Sequence, residues 1–458
     1  MQIEMPLPSQ PPVRPFSEFI CALTQALEEE GLRPCVLRNY EGFPAANLGG
    51  DVDFLILRSD LPRAIRVLRS IKDVRTVGYC LHPHVASVYV EGVSADAGCR
   101  LLRVDFYRSL SWKQLPYIPV DAVLRVAEPR QAEDLRFFIP SPVHEAIISL
   151  LASLIVGGWL NEKYFPKLQQ KFAEKPSEVI AALQPQFGYK VAARLVESVN
   201  RGDRKKILDC VRPLRSSLAV RSLLRRPIRS ILALVRHFSG VAKVSLSPKN
   251  IEIVSILGAD GSRVTRTVEC LLPILQWSAS KVEKRNFKGV LPLPRTVERS
   301  GSSAPRAQAG LLTSVAMIVA RLFEDWRNQI PGKVNLTLRI CNGYYHDLII
   351  NPQRYGYGGP MWFARLAGKF FPSPELWILL DTPLDVTEAK DQEDMSEKTV
   401  SQFEAYRSFV KTRSNYVIID AGKPIATVAE DAYAAIVDTL AKRTDRQLKH
   451  LDQRITTN

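Results

Sequence analysis

Val254-Ser-Ile-Leu-Gly-Ala-Asp-Gly-Ser-Arg-Val-Thr-Arg-Thr267 decides how the C-terminal half of this 458-residue chain is read. The apolar, β-branched run Ile251 to Leu257 has the composition of a buried strand, and Gly258 ends it. Asp260-Gly261-Ser262 then leads into a segment that can open a helix. Strand, glycine turn and helix start place backbone N–H groups and a helix N-terminus where phosphate oxygens bind. The pattern G-x-x-x-x-G-K-[ST] assigns Gly258, Asp260, Gly261 and Ser262 to such a loop and Thr265 to the magnesium-ligand position. It also puts Arg263 where the second glycine belongs and Val264 where the lysine belongs. Valine brings no charge to a transferring phosphoryl group, and arginine lacks the backbone freedom of glycine. The outline of a nucleotide site is present without its working cation.

Further strand-like runs follow at Val334–Ile340, Leu376–Leu380 and Tyr416–Ile419, with helical stretches such as Leu311–Arg327 between them. That alternation predicts a parallel sheet with flanking helices. Gly289 to Gln308, rich in Pro, Ser and Arg, reads as an exposed loop within it.

Three more stretches occur in order: Asn342-Gly-Tyr-Tyr-His-Asp347, Asn351-Pro-Gln-Arg-Tyr-Gly-Tyr-Gly-Gly-Pro360 and Leu376-Trp-Ile-Leu-Leu-Asp-Thr-Pro383. With the loop they resemble the thymidylate kinase-like proteins encoded in bacterial surface-polysaccharide clusters, over roughly residues 250–440. That family carries G-x-D-G-S-G-K-S-T in the loop and an Asp-Arg pair where this chain has Asn342-Gly343. Its lid reads Ala-Arg-Lys-x-Glu against Ala389-Lys-Asp-Gln-Glu393 here, and its Arg-Gln-Arg is replaced by Ser401-Gln-Phe403. Glu388, Asp391, Glu393, Asp394 and Glu397 would repel a triphosphate at that lid. Phosphoryl transfer rests on positioning and charge neutralisation, so the resemblance implies a kept fold with impaired chemistry. An active ATP-dependent, dTMP kinase-like enzyme, with Arg263 or Arg266 standing in for the lysine, is the alternative.

The N-terminal region carries a second constellation. Residues 15–31 have helical spacing, with Phe19, Ile20, Leu23 and Leu27 on one side. Strand-like segments follow at Cys35–Leu37, Val52–Leu57, Ser87–Val90 and Leu101–Phe106, with a helix at Leu61–Ile71. In Gly49-Gly50-Asp51-Val52-Asp53-Phe54 the acids at i and i+2 share one face of a strand and can share a metal. Arg103-Val104-Asp105-Phe106 supplies a third carboxylate on a later strand. Two acids on one strand and one on a neighbour form the usual magnesium site of nucleotidyltransferases. The alternative is that Asp51 and Asp53 are ordinary turn and strand acids.

The stretch from Val36-Leu-Arg-Asn-Tyr-Glu41 to Asp105-Phe106, with Ser141-Pro-Val-His-Glu145 and Gly157-Gly-Trp-Leu-Asn-Glu-Lys163, resembles the nucleotidyltransferase-fold domain of the same cluster-encoded proteins. The resemblance implies that Asp51 and Asp53 bind Mg2+, that Asp105 helps activate an acceptor, and that a nucleoside triphosphate is the donor. Arg38-Asn39 stands where the wider superfamily has a triphosphate-contacting Gly-Ser, and Arg38 would meet phosphate. His82 and His84 flank Pro83 and read as exposed turn residues rather than metal ligands. His144 and His346 have no partner that sequence supplies.

Between the two α/β regions the spacing is helical from Val143 to about Asn200, with breaks expected at Pro166, Pro176 and Pro185. The apolar run Ile147–Leu160 is shorter than the roughly 20 residues that span a bilayer and reads as a buried helix. Seven scattered cysteines without a C-x-x-C pair favour reduced thiols. No charged n-region or apolar h-region opens the chain. The expected location is cytoplasmic or peripheral to the inner membrane.

The net charge of +15 is uneven: Arg201 to Phe238 holds eleven Lys/Arg against Asp203 and Asp209. Arg221, Arg225, Arg229 and Arg236 interleave with Leu223, Leu224, Ile228, Ile231, Leu232 and Val235, so residues 212–238 form a cationic and apolar amphipathic segment. Such a helix suits an anionic membrane surface. A linker helix that packs its apolar side inward, arginines in solvent, fits equally. Nucleic acid is disfavoured because stacking aromatics are few.

The expected organisation is an α/β chain: a nucleotidyltransferase-like mixed sheet (1–140), a helical region (141–200), a basic linker (201–249), a kinase-like parallel sheet (250–445) and a tail (446–458). Its substrate would be a nucleotide or a sugar-related small molecule. A non-catalytic scaffold at the membrane surface is the third reading.

Overall fold

Seven strands form the first sheet of the computed structural model, in the order Glu128–Ala132, Leu135–Ile139, Cys35–Val36, Asp51–Leu55, Leu101–Tyr107, Val85–Glu91 and Arg75–Leu81. The structure describes residues 13–45, 51–94, 100–162, 164–246, 251–287, 309–332, 336–381 and 397–456. They fall into two compact units, 13–243 with 448–458, and 244–447. Residues 141–243 thus belong to the same unit as the first sheet.

Side-chain alternation assigns that sheet's two faces. Phe54 and Phe106, fully buried and stacked at 5.8 Å between ring centroids, point to one face. There they meet Phe19, Ile20, Leu23 and Leu27 of the helix Phe16–Glu29, and Ile65 and Leu68 of the helix Leu61–Ser70. Cys35, Leu37 and Leu55 point the other way, into a core with Ala146, Ile147, Phe172, Leu183 and Leu195 of the helical region. Asp53 alternates with Phe54, so the acidic face of the sheet is the one turned toward those helices.

The strand Asp51–Leu55 pairs in parallel with Leu101–Tyr107, placing Asp53 opposite Asp105 and Asp51 opposite Arg103. Leu101–Tyr107 pairs antiparallel with Val85–Glu91. The sheet is therefore mixed, and larger than the four strand-like segments indicated. Arg75–Leu81 and the hairpin Glu128–Ala132/Leu135–Ile139 complete it.

In the helical region Pro166 and Pro176 lie in the first turns of Phe165–Glu174 and Pro176–Phe187, where proline's missing N–H costs nothing. Pro185 is not a break: it sits inside Pro176–Phe187, which ends at Gly188 with a φ of 79°. The run Ile147–Leu160 does not form one buried helix either. Pro142–Leu151 continues as a π turn, Ala152–Gly157, which leaves Val156 and Trp159 half exposed. The Ile155 carbonyl accepts hydrogen bonds from Nε and Nη2 of Arg215 (2.9 and 2.7 Å). The basic segment forms three helices, Arg204–Asp209, Val211–Arg225 and Pro227–Leu246. Val211, Leu214 and Leu218 enter the first unit's core.

The second unit is built on a five-stranded, wholly parallel sheet: Lys281–Asn286, Thr337–Asn342, Ile251–Leu257, Leu376–Asp381 and Tyr416–Asp420. The chain is thus α/β, with a mixed N-terminal and a parallel C-terminal sheet. The edge strand Lys281–Asn286 was hidden by its charge. It is anchored by Glu283, which accepts from Arg339 of the neighbouring strand at 2.7 Å. Gly289–Gln308 and the lid residues Ala389–Glu393 lie outside the described residues. Among the described residues no helix is long and apolar enough to cross a membrane.

Removing the Phe54 ring opens a cavity directly behind the acid-bearing strands. Phe54→Ala should destabilise the first unit by about 3–5 kcal/mol, read as a lowered denaturation midpoint by circular dichroism.

Candidate functional site

Three carboxylates meet where the two parallel strands run side by side. Asp51 and Asp53 are two residues apart on one strand, and Asp105 is the register partner of Asp53 on the next. One oxygen from each lies within 4.8 Å of the others. Asp53 and Asp105 are each 1% exposed, and Asp51 is partly buried.

Such a cluster repels itself, and two arginines offset the repulsion. Arg103, two residues before Asp105 on the same strand face, donates from Nε to Asp105 Oδ1 at 3.0 Å and lies 3.5 Å from Asp51 Oδ2. Arg38 donates from Nε to Asp53 Oδ2 and from Nη2 toward the Tyr107 hydroxyl at 3.5 Å. The other oxygen, Asp53 Oδ1, is buried without a hydrogen-bond partner. Burial pushes the Asp53 carboxyl up to about 6, Asp51 and Asp105 push the same way, and Arg38 opposes them. Burial also raises Asp51, against the pull of Arg103 and Arg38.

The chain turns sharply after Arg38. Asn39 adopts a left-handed conformation with φ 59°, and its Oδ1 accepts from the Tyr164 hydroxyl at 3.1 Å. That bond ties the loop after Cys35–Val36 to the helical region, and Tyr164 also lines a cavity of about 270 Å3 beside Arg38 and Tyr107. Ser109, Ser111, Ser149, Ser153 and Asn161 give it hydroxyl and amide groups, and Trp159 and Tyr164 give it aromatic walls. Gly157 lets the Trp159 indole fold back, since a Cβ there would collide with the ring. A second cavity of about 280 Å3 shares Arg38, Ser149 and Tyr164 and adds Asn39, Glu41, Glu145, Lys167 and Lys171. Its charges are largely paired internally: Lys167 with Glu41 at 2.5 Å, Lys171 with Glu145 at 2.5 Å, and the Tyr40 hydroxyl on Glu145 at 3.0 Å.

In the second unit the polar groups of the residues expected to form a phosphate loop are engaged within the unit. Asp260 Oδ1 caps the helix Gly261–Leu275, accepting from the Ser262 and Arg263 backbone N–H groups (2.8 and 3.2 Å) and from the Ser262 hydroxyl (2.7 Å). An internal carboxylate thus sits on the donors that would hold phosphate. Val264 is 2% exposed. A Cβ added at Gly258 would lie 3.0 Å from its Cγ2. Thr265 donates to the Gly261 carbonyl (2.8 Å) and accepts from Asn342 Nδ2 (2.9 Å). Arg263 donates to the Lys423 carbonyl, and Arg266 is exposed. Arg354, from the glycine-rich turn, donates to the Gly258 carbonyl at 3.3 Å. Asp347 accepts from the hydroxyls of Tyr355 and Tyr406 in the core beneath.

His82 and His84 occupy the turn between Arg75–Leu81 and Val85–Glu91. His82 is partly buried with Nε2 3.3 Å from Cys80 Sγ, and His84 is exposed at the cavity lining. His144 Nδ1 bonds Ser141 Oγ at 2.9 Å, and His346 packs among Tyr344, Trp377 and Phe409. Sequence reading missed Arg103 as a partner of the acids, although its spacing of two from Asp105 places it on their face.

No protein-family model and no curated protein matches the chain. Among solved structures, FtsY from Mycoplasma mycoides is similar at 9% identity and a TM-score of 0.19, covering 66% of this chain and 99% of that one. That score is too low to carry a fold or functional likeness.

A carboxyl raised in the folded state lowers stability once it ionises, as pH rises from about 4 through about 6. Asp53→Asn should therefore raise the metal-free melting temperature at pH 8, and the gain should shrink below pH 6, as followed by differential scanning fluorimetry.

Proposed function

We propose that the first unit is a divalent-cation-dependent nucleotidyltransferase and that the second unit keeps a kinase fold without phosphoryl transfer. The observation that carries the reading is the unpartnered, buried Asp53 Oδ1 inside a three-carboxylate cluster. A buried acceptor without a donor is costly, and a hard cation with oxygen ligands satisfies it. Asp51, Asp53 and Asp105 would hold Mg2+. Bound there, the ion would neutralise triphosphate oxygens and promote deprotonation of an acceptor hydroxyl.

The chain's own residues then divide the work. Arg38, about one third exposed at the cavity edge, turns its guanidinium from Asp53 to a phosphate, a bidentate match. Arg103 holds Asp105 and keeps the cluster assembled before the ligand arrives. Asp105 is the acid assigned to take the acceptor proton. Tyr164 and Asn39 fix the turn that carries Arg38. The resemblance to surface-polysaccharide cluster proteins implies an acceptor among sugars or their carriers.

A second reading has an observation in its favour. Arg38 and Arg103 already neutralise the acids, which suits a relic site in a scaffold protein. Calorimetry separates the two. Binding of a nucleoside triphosphate should require Mg2+ and be lost in both Asp51→Asn and Asp53→Asn, with circular dichroism unchanged. Undiminished binding in either variant excludes the assignment.

For the second unit, Val264 in the lysine position and the Asp260 cap leave the γ-phosphate without a cation. The full chain should release no ADP with dTMP and ATP above background in a coupled assay. Turnover abolished by Thr265→Ala would establish the kinase reading instead.

A further inference from the structure

The two helices after residue 210 leave one part of their apolar residues in solvent. Leu224, Ile228, Ile231, Leu232, Val235 and Phe238 are 45–77% exposed. From Ile228 they recur at intervals of three and four, one stripe of a helix. The inward side of Pro227–Leu246 is supplied by smaller or fewer groups: Ser230 is buried, donating to the Ser222 carbonyl at 2.8 Å, and Ala233 and Leu234 pack against the first unit's core. A linker helix would bury its stripe and expose its arginines; here both are outside.

Charge selects what covers the stripe. Arg225, Arg226, Arg229 and Arg236 are exposed beside it. From Cys210 to Ile251 the sequence has nine Lys/Arg and no Asp or Glu. A second copy of the same surface would place cation against cation. We propose that this face is a docking surface for an anionic lipid bilayer, with the stripe in the headgroup–acyl boundary and the arginines on lipid phosphates. The helix lies on the surface and does not cross it.

The docking face adjoins the pocket through one hairpin. Phe238 sits beneath Lys113, whose Nζ is 5.6 Å from its ring centroid. Lys113 turns the hairpin Leu110–Trp112/Leu115–Ile118, and Arg215 stacks on Trp112 at 5.5 Å. The same hairpin contributes Ser111 to the cavity beside Arg38. The membrane helix and the cavity are thus one hairpin apart within the first unit.

Flotation of the full chain with vesicles of phosphatidylcholine, and of equimolar phosphatidylcholine and phosphatidylglycerol, tests the proposal. The protein should float with the anionic vesicles alone, and less as salt shortens screening to about 8 Å at physiological ionic strength. The triple variant Arg225→Gln, Arg229→Gln, Arg236→Gln should bind on the order of a hundredfold more weakly, about fivefold for each basic residue. Ile231→Gln with Val235→Gln should also lose binding. All five positions are exposed, and circular dichroism confirms folding. Equal binding by the triple variant, flotation independent of lipid charge, or no flotation at low salt overturns the proposal. So does self-association in sedimentation velocity that Ile231→Gln with Val235→Gln abolishes while neither protein binds vesicles.

Discussion

Parallel pairing of Asp51–Leu55 with Leu101–Tyr107 brings Asp53 opposite Asp105, and the candidate site depends on that register. A slip of one residue would send an acid to the Phe54 face and an aromatic ring among the carboxylates. The stacked pair Phe54–Phe106 on the reverse side makes such a slip expensive. Core packing on one face of the sheet thus holds together, on the other, charges that repel each other.

Two arginines offset the mutual repulsion of the three carboxylates. Arg103 shares Asp105's own strand and pairs with both Asp105 and Asp51. Arg38 stands at a loop held by Asn39 and Tyr164 and borders both cavities. In the proposed reading Arg103 holds the cluster together, and Arg38 exchanges its carboxylate for a phosphate. The second unit shows the reverse economy of charge. Its helix start is capped by its own Asp260, its lysine position is filled by a buried valine, and Arg263 is drawn to a backbone carbonyl. The Ser262 and Arg263 backbone N–H groups and the Arg263 guanidinium are thus already engaged within the unit.

Much of this was legible in residue spacing. The period of two assigned Asp51 and Asp53 to one face, and apolar runs marked four of the five parallel strands. The fifth, Lys281–Asn286, has almost no apolar alternation, because its side chains answer charges on the neighbouring strand instead. The π turn at Ala152–Gly157 was invisible because its freed carbonyl is satisfied by Arg215, sixty residues later. The cavity was invisible for a similar reason: its walls join Arg38 and Tyr107 of the sheet region to Trp159 and Tyr164 of the helical region, far apart in sequence. Arg103 is a different case, since the spacing that found the acids would have found it too. The basic segment was readable as amphipathic, but which side faces outward is a property of packing, settled by Ser230 and Ala233 rather than by periodicity.

We propose that a divalent cation belongs among Asp51, Asp53 and Asp105. Crystals of the full chain soaked with Mn2+ and a non-hydrolysable nucleoside triphosphate test it most directly, through the anomalous signal of the metal. The expected result is an anomalous peak ligated by Asp53 Oδ1, with Arg38 turned to the phosphates. No peak in the cluster, with Arg38 still on Asp53, or a peak instead at Thr265, would contradict it.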